Sequence, residues 1–216
     1  MRIFLDTANI EEIKQGAKLG VISGITTNPS LISAAGAKDY EAAIKQICSI
    51  IPGPVSTEVT VEGVDAMLKQ ARQIAKWAPN VVVKIPSTAE GFEAISILAK
   101  EGIKINCTLC FSVNQALLAA AAGAAYISPF VGRLDDIGQD GMVLVKDIVE
   151  IYKNYPEIKT EVIAASIRHP EHCVRAARIG AHIATLPYKV LTQMIQHPLT
   201  EIGQKRFMAD FKSVSK

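Results

Sequence analysis

Short β-type segments alternate with helical patterns along almost the whole chain of 216 residues. Between these segments, apolar residues recur at the spacing of an amphipathic helix. Eight strands that alternate with helices in a chain of this length predict an α/β fold, a closed (β/α)8 TIM barrel, with residues 1–216 in a single domain. The predicted strands are "RIFLD" (2–6), "ISGITTN" (22–28), "PVSTEVT" (54–60), "VVVKIP" (81–86), "IKINCTL" (103–109), "AYISPFV" (125–131), "TEVIAAS" (160–166) and "HIATLP" (182–187).

An open, doubly wound parallel sheet is the alternative fold for such an alternating pattern. Many proteins of that class bind dinucleotides through a glycine-rich turn after the first strand. Here the first strand–helix junction reads "LDTANIEE" and contains no glycine. The pattern therefore favours the barrel.

The C-terminal tail, residues 198–216, is longer than an eighth barrel helix requires. Its apolar residues keep a helical period, which predicts an extra amphipathic helix. They are Leu199, Ile202, Phe207, Met208 and Phe211. We expect this helix to pack either on its own barrel or on a neighbouring subunit.

The composition argues against several classes of function. The net charge is only +2, and no basic run is interleaved with aromatic residues, so nucleic acid is not an expected partner. No run approaches the roughly 20 apolar residues that cross a membrane, and the N-terminal segment does not have the pattern of a signal peptide. The four cysteines of a chain this large predict free thiols and a cytoplasmic protein.

Polar residues near the ends of the predicted strands mark a candidate site. Active sites of (β/α)8 barrels lie at the C-terminal ends of the strands, and alternate residues of each strand point into the barrel. Residues two positions apart therefore share a face at the barrel mouth. The candidates are Asp6 on the first strand, Thr26 and Asn28 on the second, Ser56, Glu58 and Thr60 on the third, Lys84 on the fourth, Asn106 and Thr108 on the fifth, Ser128 with Phe130 and the nearby Arg133 on the sixth, and Ser166 and Arg168 on the seventh.

The lysine in "VVVKIPSTAEG" is the most unusual of these residues, because it ends a strongly apolar strand. Lys84 is in phase with Val82, so an inward Val82 places the amine in the barrel mouth, near Asp6, Glu58 and Asn106. Burial disfavours the charged ammonium form, and a neutral amine is a nucleophile toward carbonyl carbon. The alternative is a lysine whose charged end reaches from the strand end into water.

Two arginines suggest the kind of ligand. Arg133, Ser166 and Arg168 follow the sixth and seventh strands, where barrels often bind phosphate, and arginine can bind two phosphate oxygens at once. Together with the lysine they predict a phosphorylated carbonyl substrate, whereas the alternative is a set of ordinary surface ion pairs. His169 and His172 are three residues apart, but no third ligand accompanies them, so no metal is expected.

These motifs together resemble the transaldolase family, in its short, single-domain form. The matching stretches cover nearly the whole chain: "FLDTANIEEI", "GITTNPSLI", "EVT", "VVVKIPSTAEG", "INCTLCFSVNQALLAAAAGAAYISPFVGRLDD", "VIAASIRHP" and "ATLP". The family carries its Schiff-base lysine on the fourth strand, where Lys84 falls. The resemblance implies transfer of a dihydroxyacetone unit from sedoheptulose 7-phosphate or fructose 6-phosphate to glyceraldehyde 3-phosphate or erythrose 4-phosphate, within the pentose phosphate pathway. It also implies a homo-oligomer, with rings of five that can stack in pairs. No cofactor is implied, because the lysine itself serves as the electron sink.

The resemblance implies a role for each candidate residue except Ser56 and Thr60. Lys84 forms the Schiff base, Asp6 moves the proton of a substrate hydroxyl group, and Glu58 and Thr108 hold the water of the dehydration and hydrolysis steps. The remaining candidates bind substrate: Asn28, Asn106 and Ser128 orient the three-carbon unit, Thr26 and Phe130 lie in the same site, and Arg133, Ser166 and Arg168 bind the phosphate.

Two other functions stay open. Fructose-6-phosphate aldolase, a relative of similar fold, releases free dihydroxyacetone and has a tyrosine in place of Phe130 and a glutamine in place of Glu58. Here both positions carry the transaldolase residue. The second alternative is a sugar-phosphate-binding barrel without catalysis, which should lack the lysine, the acid or the water-binding pair.

Overall fold

The computed structural model describes residues 1–214, and within them eight parallel strands form a closed barrel. Each strand pairs with the next one in the chain, and the last pairs with the first. The (β/α)8 TIM barrel is thus confirmed, and the open sheet is excluded. The strands are β1 (Arg2–Asp6), β2 (Ile22–Thr26), β3 (Val55–Glu58), β4 (Val81–Pro86), β5 (Ile105–Cys110), β6 (Tyr126–Pro129), β7 (Glu161–Ala164) and β8 (Ile183–Leu186).

Eleven helices occur in the described part of the chain, and most of them cover the outside of the barrel. They are α1 (Ile10–Lys18), α2 (Pro29–Ala34), α3 (Tyr40–Ile50), α4 (Val64–Ile74), α5 (Ala89–Lys100), α6 (Val113–Ala121), α7 (Val131–Asp135), α8 (Gly141–Lys153), α9 (Pro170–Ile179), α10 (Tyr188–Ile195) and α11 (Pro198–Val214). Helical periodicity does not predict α2 and α7, because six and five residues are too few for a period to be recognised.

Several predicted strands extend past the observed ends. β2 ends at Thr26 and not at residue 28, because the side chain of Asn28 caps α2 by accepting a hydrogen bond from a backbone N–H. β6 and β7 likewise end before Phe130 and Ser166. The side chains beyond these ends are therefore placed by turns and helix caps, and not by the two-residue period of a strand.

Alternate residues of the strands fill the inside of the barrel. An apolar cluster that includes Phe4, Val82 and Ile183 occupies the interior toward the N-terminal ends of the strands, whereas the larger apolar core lies between the strands and the helices. Because Val82 belongs to the inner cluster, Lys84, two residues further along β4, also points into the barrel.

The last helix, α11, accounts for residues 198–214 of the predicted tail, and residues 215 and 216 lie outside the described part. No residue of this helix is buried, and Leu199, Phe207 and Phe211 are 70%, 74% and 71% exposed. The extra C-terminal helix is therefore present, but it does not pack on its own barrel. Among residues 1–214, no helix combines the length and the apolar character needed to cross a membrane.

Candidate active site

A cavity of about 200 Å³ lies at the C-terminal ends of the barrel strands. One amine, one carboxyl group and two guanidinium groups face it, together with several hydroxyl groups and one aromatic ring. The lining residues are Asp6, Thr26, Asn28, Lys84, Ser128, Phe130, Arg133, Ala165, Ser166, Arg168 and Thr185.

Lys84 is almost inaccessible to solvent, with 4% of its surface exposed. The strand register places Glu58 of β3 on one side of it and Asn106 of β5 on the other. Its Nζ donates a hydrogen bond of 2.9 Å to the carbonyl oxygen of Thr27 and lies 3.6 Å from Oε2 of Glu58. A buried amine is unfavourable unless polar groups surround it, and the neighbouring strands provide those groups. This position does not fit a lysine that reaches into bulk water.

Asp6, the last residue of β1, is the carboxylic acid of the cavity. Its Oδ1 accepts a hydrogen bond of 2.6 Å from Oγ1 of Thr26, which lies 2.6 Å from Oγ1 of Thr185 on β8. Burial raises the pKa of Asp6 above its ordinary value of 3.8, while the charge of Lys84 and the hydrogen bond from Thr26 act in the opposite direction. A raised pKa suits a group that both accepts and returns a proton.

Asn106 connects three strands inside the barrel. Its Nδ2 donates a hydrogen bond of 3.2 Å to Oγ of Ser56, and its Oδ1 accepts one of 2.8 Å from Oγ of Ser128. All three side chains are buried. Bonds on both sides fix the orientation of the amide group, which forms part of a rigid polar row next to Lys84.

Thr108 has a buried hydroxyl group without a hydrogen-bond partner among residues 1–214. It is in register with Pro86, two residues beyond Lys84 on β4. The next residue, Leu109, has a φ of 54° at the point where the pairing of β5 with β6 is interrupted. Nearly all buried hydroxyl groups in proteins are hydrogen-bonded. The Thr108 hydroxyl is therefore available to bind a group that comes from outside the protein.

Glu58, at the end of β3, is held by a residue of α3. The hydroxyl group of Tyr40 donates a hydrogen bond of 3.0 Å to the carbonyl oxygen of Glu58 and accepts one of 3.1 Å from its N–H. Oγ1 of Thr57 donates a further bond of 2.6 Å to the same hydroxyl group, and the ring of Tyr40 contacts Trp77 edge-on. The Glu58 carboxylate thus extends toward Lys84 from a fixed backbone.

The rim of the cavity is formed by α7 and by the loop that follows β7. The Arg133 guanidinium lies over the ring of Phe130, 5.4 Å from its centroid. The Arg168 guanidinium pairs with Asp136 at 2.7 Å, and both side chains are exposed. Ser166 has a φ of 58°, a left-handed conformation that residues with a side chain rarely adopt and that is often found at functional sites. The rim is thus the positively charged end of the cavity.

A sequence model of the family described as transaldolase/fructose-6-phosphate aldolase matches residues 3–216. The chain belongs to this family. A protein named "Probable transaldolase" from Dehalococcoides mccartyi is 68% identical over 217 residues, which cover 100% of both chains. Proteins of the same name from Caldicellulosiruptor saccharolyticus and Methanococcus maripaludis are 58% and 55% identical, over 100% and 99% of this chain and 99% and 98% of theirs.

A solved structure adds support for the fold alone. It is a cube-shaped, highly porous protein cage designed by fusing symmetric oligomeric domains, and it is 13% identical to this chain. The TM-score is 0.57, and the similarity covers 99% of this chain and 77% of that chain.

In this member of the transaldolase/fructose-6-phosphate aldolase family, nine of the twelve residues to which the resemblance gives a role line the cavity. The other three lie on β3 and β5, the two strands that pair with β4. Glu58 contacts Lys84, and Asn106 is bonded to Ser128, which lines the cavity. Thr108 lies on β5, two residues beyond Asn106.

Three polar contributors to the site are absent from the sequence prediction. Thr185 is in phase with the inward Ile183 on β8, so the two-residue period that identified the other strands could have identified it. The carbonyl oxygen of Thr27 and the hydroxyl group of Tyr40 leave no such signal. A backbone acceptor has no residue type, and Tyr40 reaches the site from a helix outside the barrel.

Proposed function

We propose that this protein is a transaldolase, which transfers a dihydroxyacetone unit between phosphorylated sugars through a Schiff base on Lys84. The observation that supports this most is the buried amine of Lys84, in a cavity that also holds the carboxyl group of Asp6. The donor is sedoheptulose 7-phosphate or fructose 6-phosphate, and the acceptor is glyceraldehyde 3-phosphate or erythrose 4-phosphate. The reaction belongs to the pentose phosphate pathway of the cytoplasm.

In the first half of the reaction, the neutral amine of Lys84 attacks the C2 ketone of the donor, and loss of water gives a protonated Schiff base. Asp6 accepts the proton of the C4 hydroxyl group, and the C3–C4 bond breaks. The electron pair of that bond moves into the Schiff base and forms an enamine, while the aldose phosphate leaves. The raised pKa of Asp6 favours acceptance of this proton, because it makes the carboxylate a stronger base.

In the second half, the enamine carbon attacks the aldehyde carbon of the acceptor. The new alkoxide takes the proton back from Asp6, and hydrolysis of the Schiff base frees the product and the amine of Lys84. No separate electron sink is needed, because the protonated Schiff base accepts and returns the electron pair.

Glu58 and Thr108 bind the water that leaves and re-enters. The Glu58 carboxylate is 3.6 Å from Nζ of Lys84, and the Thr108 hydroxyl has no partner among residues 1–214. Asn28, Asn106 and Ser128 orient the hydroxyl groups of the three-carbon unit, supported by the fixed amide of Asn106.

Arg133, Ser166 and Arg168 bind the phosphate group at the rim. Guanidinium groups form charge-assisted hydrogen bonds with phosphate oxygens, and both arginines face the cavity that contains Lys84. When phosphate binds, it takes the place of Asp136 as the partner of Arg168.

Transfer is favoured over simple aldol cleavage by Phe130. Its ring lines the cavity and contacts Phe111, with 5.7 Å between the ring centroids. It has no hydroxyl group that could bring a proton to the enamine, so the enamine persists until an acceptor aldehyde arrives. A tyrosine at this position, as in fructose-6-phosphate aldolase, would supply that group.

Reduction with borohydride in the presence of fructose 6-phosphate tests the Schiff base. We expect a three-carbon mass increase on Lys84, located by peptide mapping, and none in a Lys84→Ala protein. Lys104 is a matched control, since it precedes β5 at the opposite end of the barrel and is exposed. The Lys104→Ala protein should trap normally, and trapping that persists in Lys84→Ala would refute the assignment.

Release of glyceraldehyde 3-phosphate separates the transferase from the aldolase. With fructose 6-phosphate alone the enzyme should stop after one turnover, and added erythrose 4-phosphate should restore continuous release. Equal continuous release in both mixtures would instead identify an aldolase. No release and no trapping would identify a binding protein without catalysis.

We further propose that the protein is a homo-oligomer, in which α11 of one subunit covers a neighbouring copy. This rests on the exposed apolar side chains of α11, since surfaces of this kind mark interaction sites. The resemblance to ring-forming relatives suggests five or ten subunits. Replacing Phe207 and Phe211 together by Gln should lower the mass measured by light scattering, whereas Lys205→Gln on the same helix should not. An unchanged mass in the double variant would contradict this role of α11.

A further inference from the structure

His172, on α9, is a buried histidine that no step of the proposed mechanism uses, with 3% of its surface exposed. Its side chain makes polar contacts on two sides. Nδ1 accepts a hydrogen bond of 3.3 Å from the backbone N–H of Arg168, and Nε2 lies 3.1 Å from Oδ2 of Asp135 at the end of α7. The ring therefore connects the loop that carries Arg168 to the helix that carries Arg133.

The contacts define the protonation state of this histidine. Nδ1 can accept a hydrogen bond only when it has no hydrogen, so the ring is neutral and its hydrogen is on Nε2, toward Asp135. Burial is the main cause of the lowered pKa of His172, and the charges of His169 and Arg175 act in the same direction, while those of Asp135 and Asp140 oppose them. The ring of His169 also stacks on it, with 3.8 Å between the centroids.

The two segments that His172 connects are in close contact elsewhere too. The N–H of Gly132 on α7 donates a hydrogen bond of 3.0 Å to the carbonyl oxygen of Ser166. A Cβ atom on Gly132 would lie 2.3 Å from that oxygen and 2.4 Å from Nε of Arg168. Asp135 in turn accepts a bond of 2.9 Å from the first N–H of α8. The spacing of the two arginine-bearing segments is thus determined by backbone contacts on one side and by His172 on the other.

We propose that His172 is a positioning residue of the phosphate site, which keeps Arg133 and Arg168 at the spacing that binds the phosphate of an aldose phosphate. The inference rests on the proposed function, because it takes these two arginines as the phosphate ligands. Loss of the polar contacts of His172 allows the loop after β7 to move relative to α7. Binding of phosphorylated substrates is then weakened much more than the chemistry at Lys84.

The test compares two acceptors that differ only in the phosphate, erythrose 4-phosphate and erythrose. In ping-pong kinetics, kcat/KM for the acceptor depends only on the second half-reaction, so the phosphorylated donor does not affect the comparison. His172→Phe retains a ring of similar size without either polar contact, and His172→Asn retains an acceptor for the Arg168 N–H. The kcat/KM ratio of the two acceptors is measured for both variants and for Arg168→Ala.

We expect the ratio to fall about tenfold or more in His172→Phe, as for the loss of one hydrogen bond to a charged group, and to recover most of its value in His172→Asn. The positioning role is overturned if Arg168→Ala lowers the ratio but His172→Phe leaves it unchanged. That includes the case in which His172→Phe lowers kcat/KM equally for both acceptors. If Arg168→Ala leaves the ratio unchanged, the phosphate site itself is misassigned and the inference fails with it. Should His172→Phe not fold, Asp135→Asn replaces it, because it weakens the same connection from the other side and must lower the same ratio.

Discussion

Replacing Thr108 by Val should make the enzyme slower without making it less stable. The hydroxyl group of Thr108 is buried and has no partner among residues 1–214, so its removal breaks no hydrogen bond within this part of the protein. A buried polar group without a partner destabilises a fold by about 1–3 kcal/mol. Valine has nearly the same shape, and we therefore expect the free energy of unfolding to rise by about 1 kcal/mol, which corresponds to roughly 2–4 °C in Tm.

Thr160 provides the matched control for this substitution. It is equally buried, but its Oγ1 donates a hydrogen bond of 2.7 Å to the carbonyl oxygen of Ala124, and it precedes β7 at the end of the barrel opposite the cavity. Thr160→Val should lower the free energy of unfolding by about 1 kcal/mol, because the carbonyl group loses its partner. Its activity should match that of the wild type.

Urea denaturation at one protein concentration and a steady-state assay of glyceraldehyde 3-phosphate release give the two readouts. In Thr108→Val, kcat should fall about 10²-fold or more, the usual effect of removing a group that positions water or a proton in the transition state. Two results would refute the reasoning. A loss of stability in Thr108→Val as large as in Thr160→Val would mean that the hydroxyl has a partner within the protein, and an unchanged kcat would mean that it does not act on the water.

Three further predictions concern the rim and the interior beneath it. Phe130→Tyr should raise release of free dihydroxyacetone about tenfold, the effect of one new hydrogen bond of about 1.4 kcal/mol in the transition state, and chromatographic assay of dihydroxyacetone without an acceptor measures it. Gly132→Ala should lower kcat/KM for erythrose 4-phosphate by about 10²-fold, since its Cβ would displace Arg168, while erythrose itself reacts normally. The pKa of His172 is lowered in the fold from its ordinary value of 6.5, so the unfolded chain takes up the proton first as the pH falls. The free energy of unfolding that this group contributes is complete above about pH 6.5 and is lost as the pH falls through the lowered pKa. Denaturation between pH 7.5 and 5.5 should therefore show a smaller decrease in the free energy of unfolding for His172→Asn than for the wild type.

The barrel was predictable from sequence because its strands and helices have different periods. Alternation along the strands also placed Asp6, Lys84 and Asn106 on the inner face, since side chains of one parallel sheet that are in phase share a face. Neither inference needed a contact between distant parts of the chain. Both depended only on the local geometry of a strand and on the closure of eight of them.

The positions of the residues at the cavity rim were harder to predict from the sequence. Ser166 and Arg168 lie beyond the end of β7, and Ser166 has a positive φ, so a two-residue period does not govern where these side chains point. Arg133 lies on a helix of five residues that periodicity does not reveal. Their assignment to one phosphate site came from their position after the sixth and seventh strands and from the resemblance to transaldolases, and the cavity that they line supports it.

The residues that hold the site in place form a further group, which sequence reasoning missed entirely. Tyr40 is 18 residues from Glu58 in the chain and reaches it from outside the barrel. His172 follows Arg168 by four residues, but its second contact, with Asp135, crosses from α9 to α7. Asp6, Lys84 and Asn106 lie on strands, and a two-residue period reveals them. The residues that hold these side chains in place depend on which helices pack against the strand ends. That packing is known only once the barrel has closed. A search for positioning residues in this family should therefore begin from the helices that contact the strand ends, and Tyr40 is the next residue to test in that way.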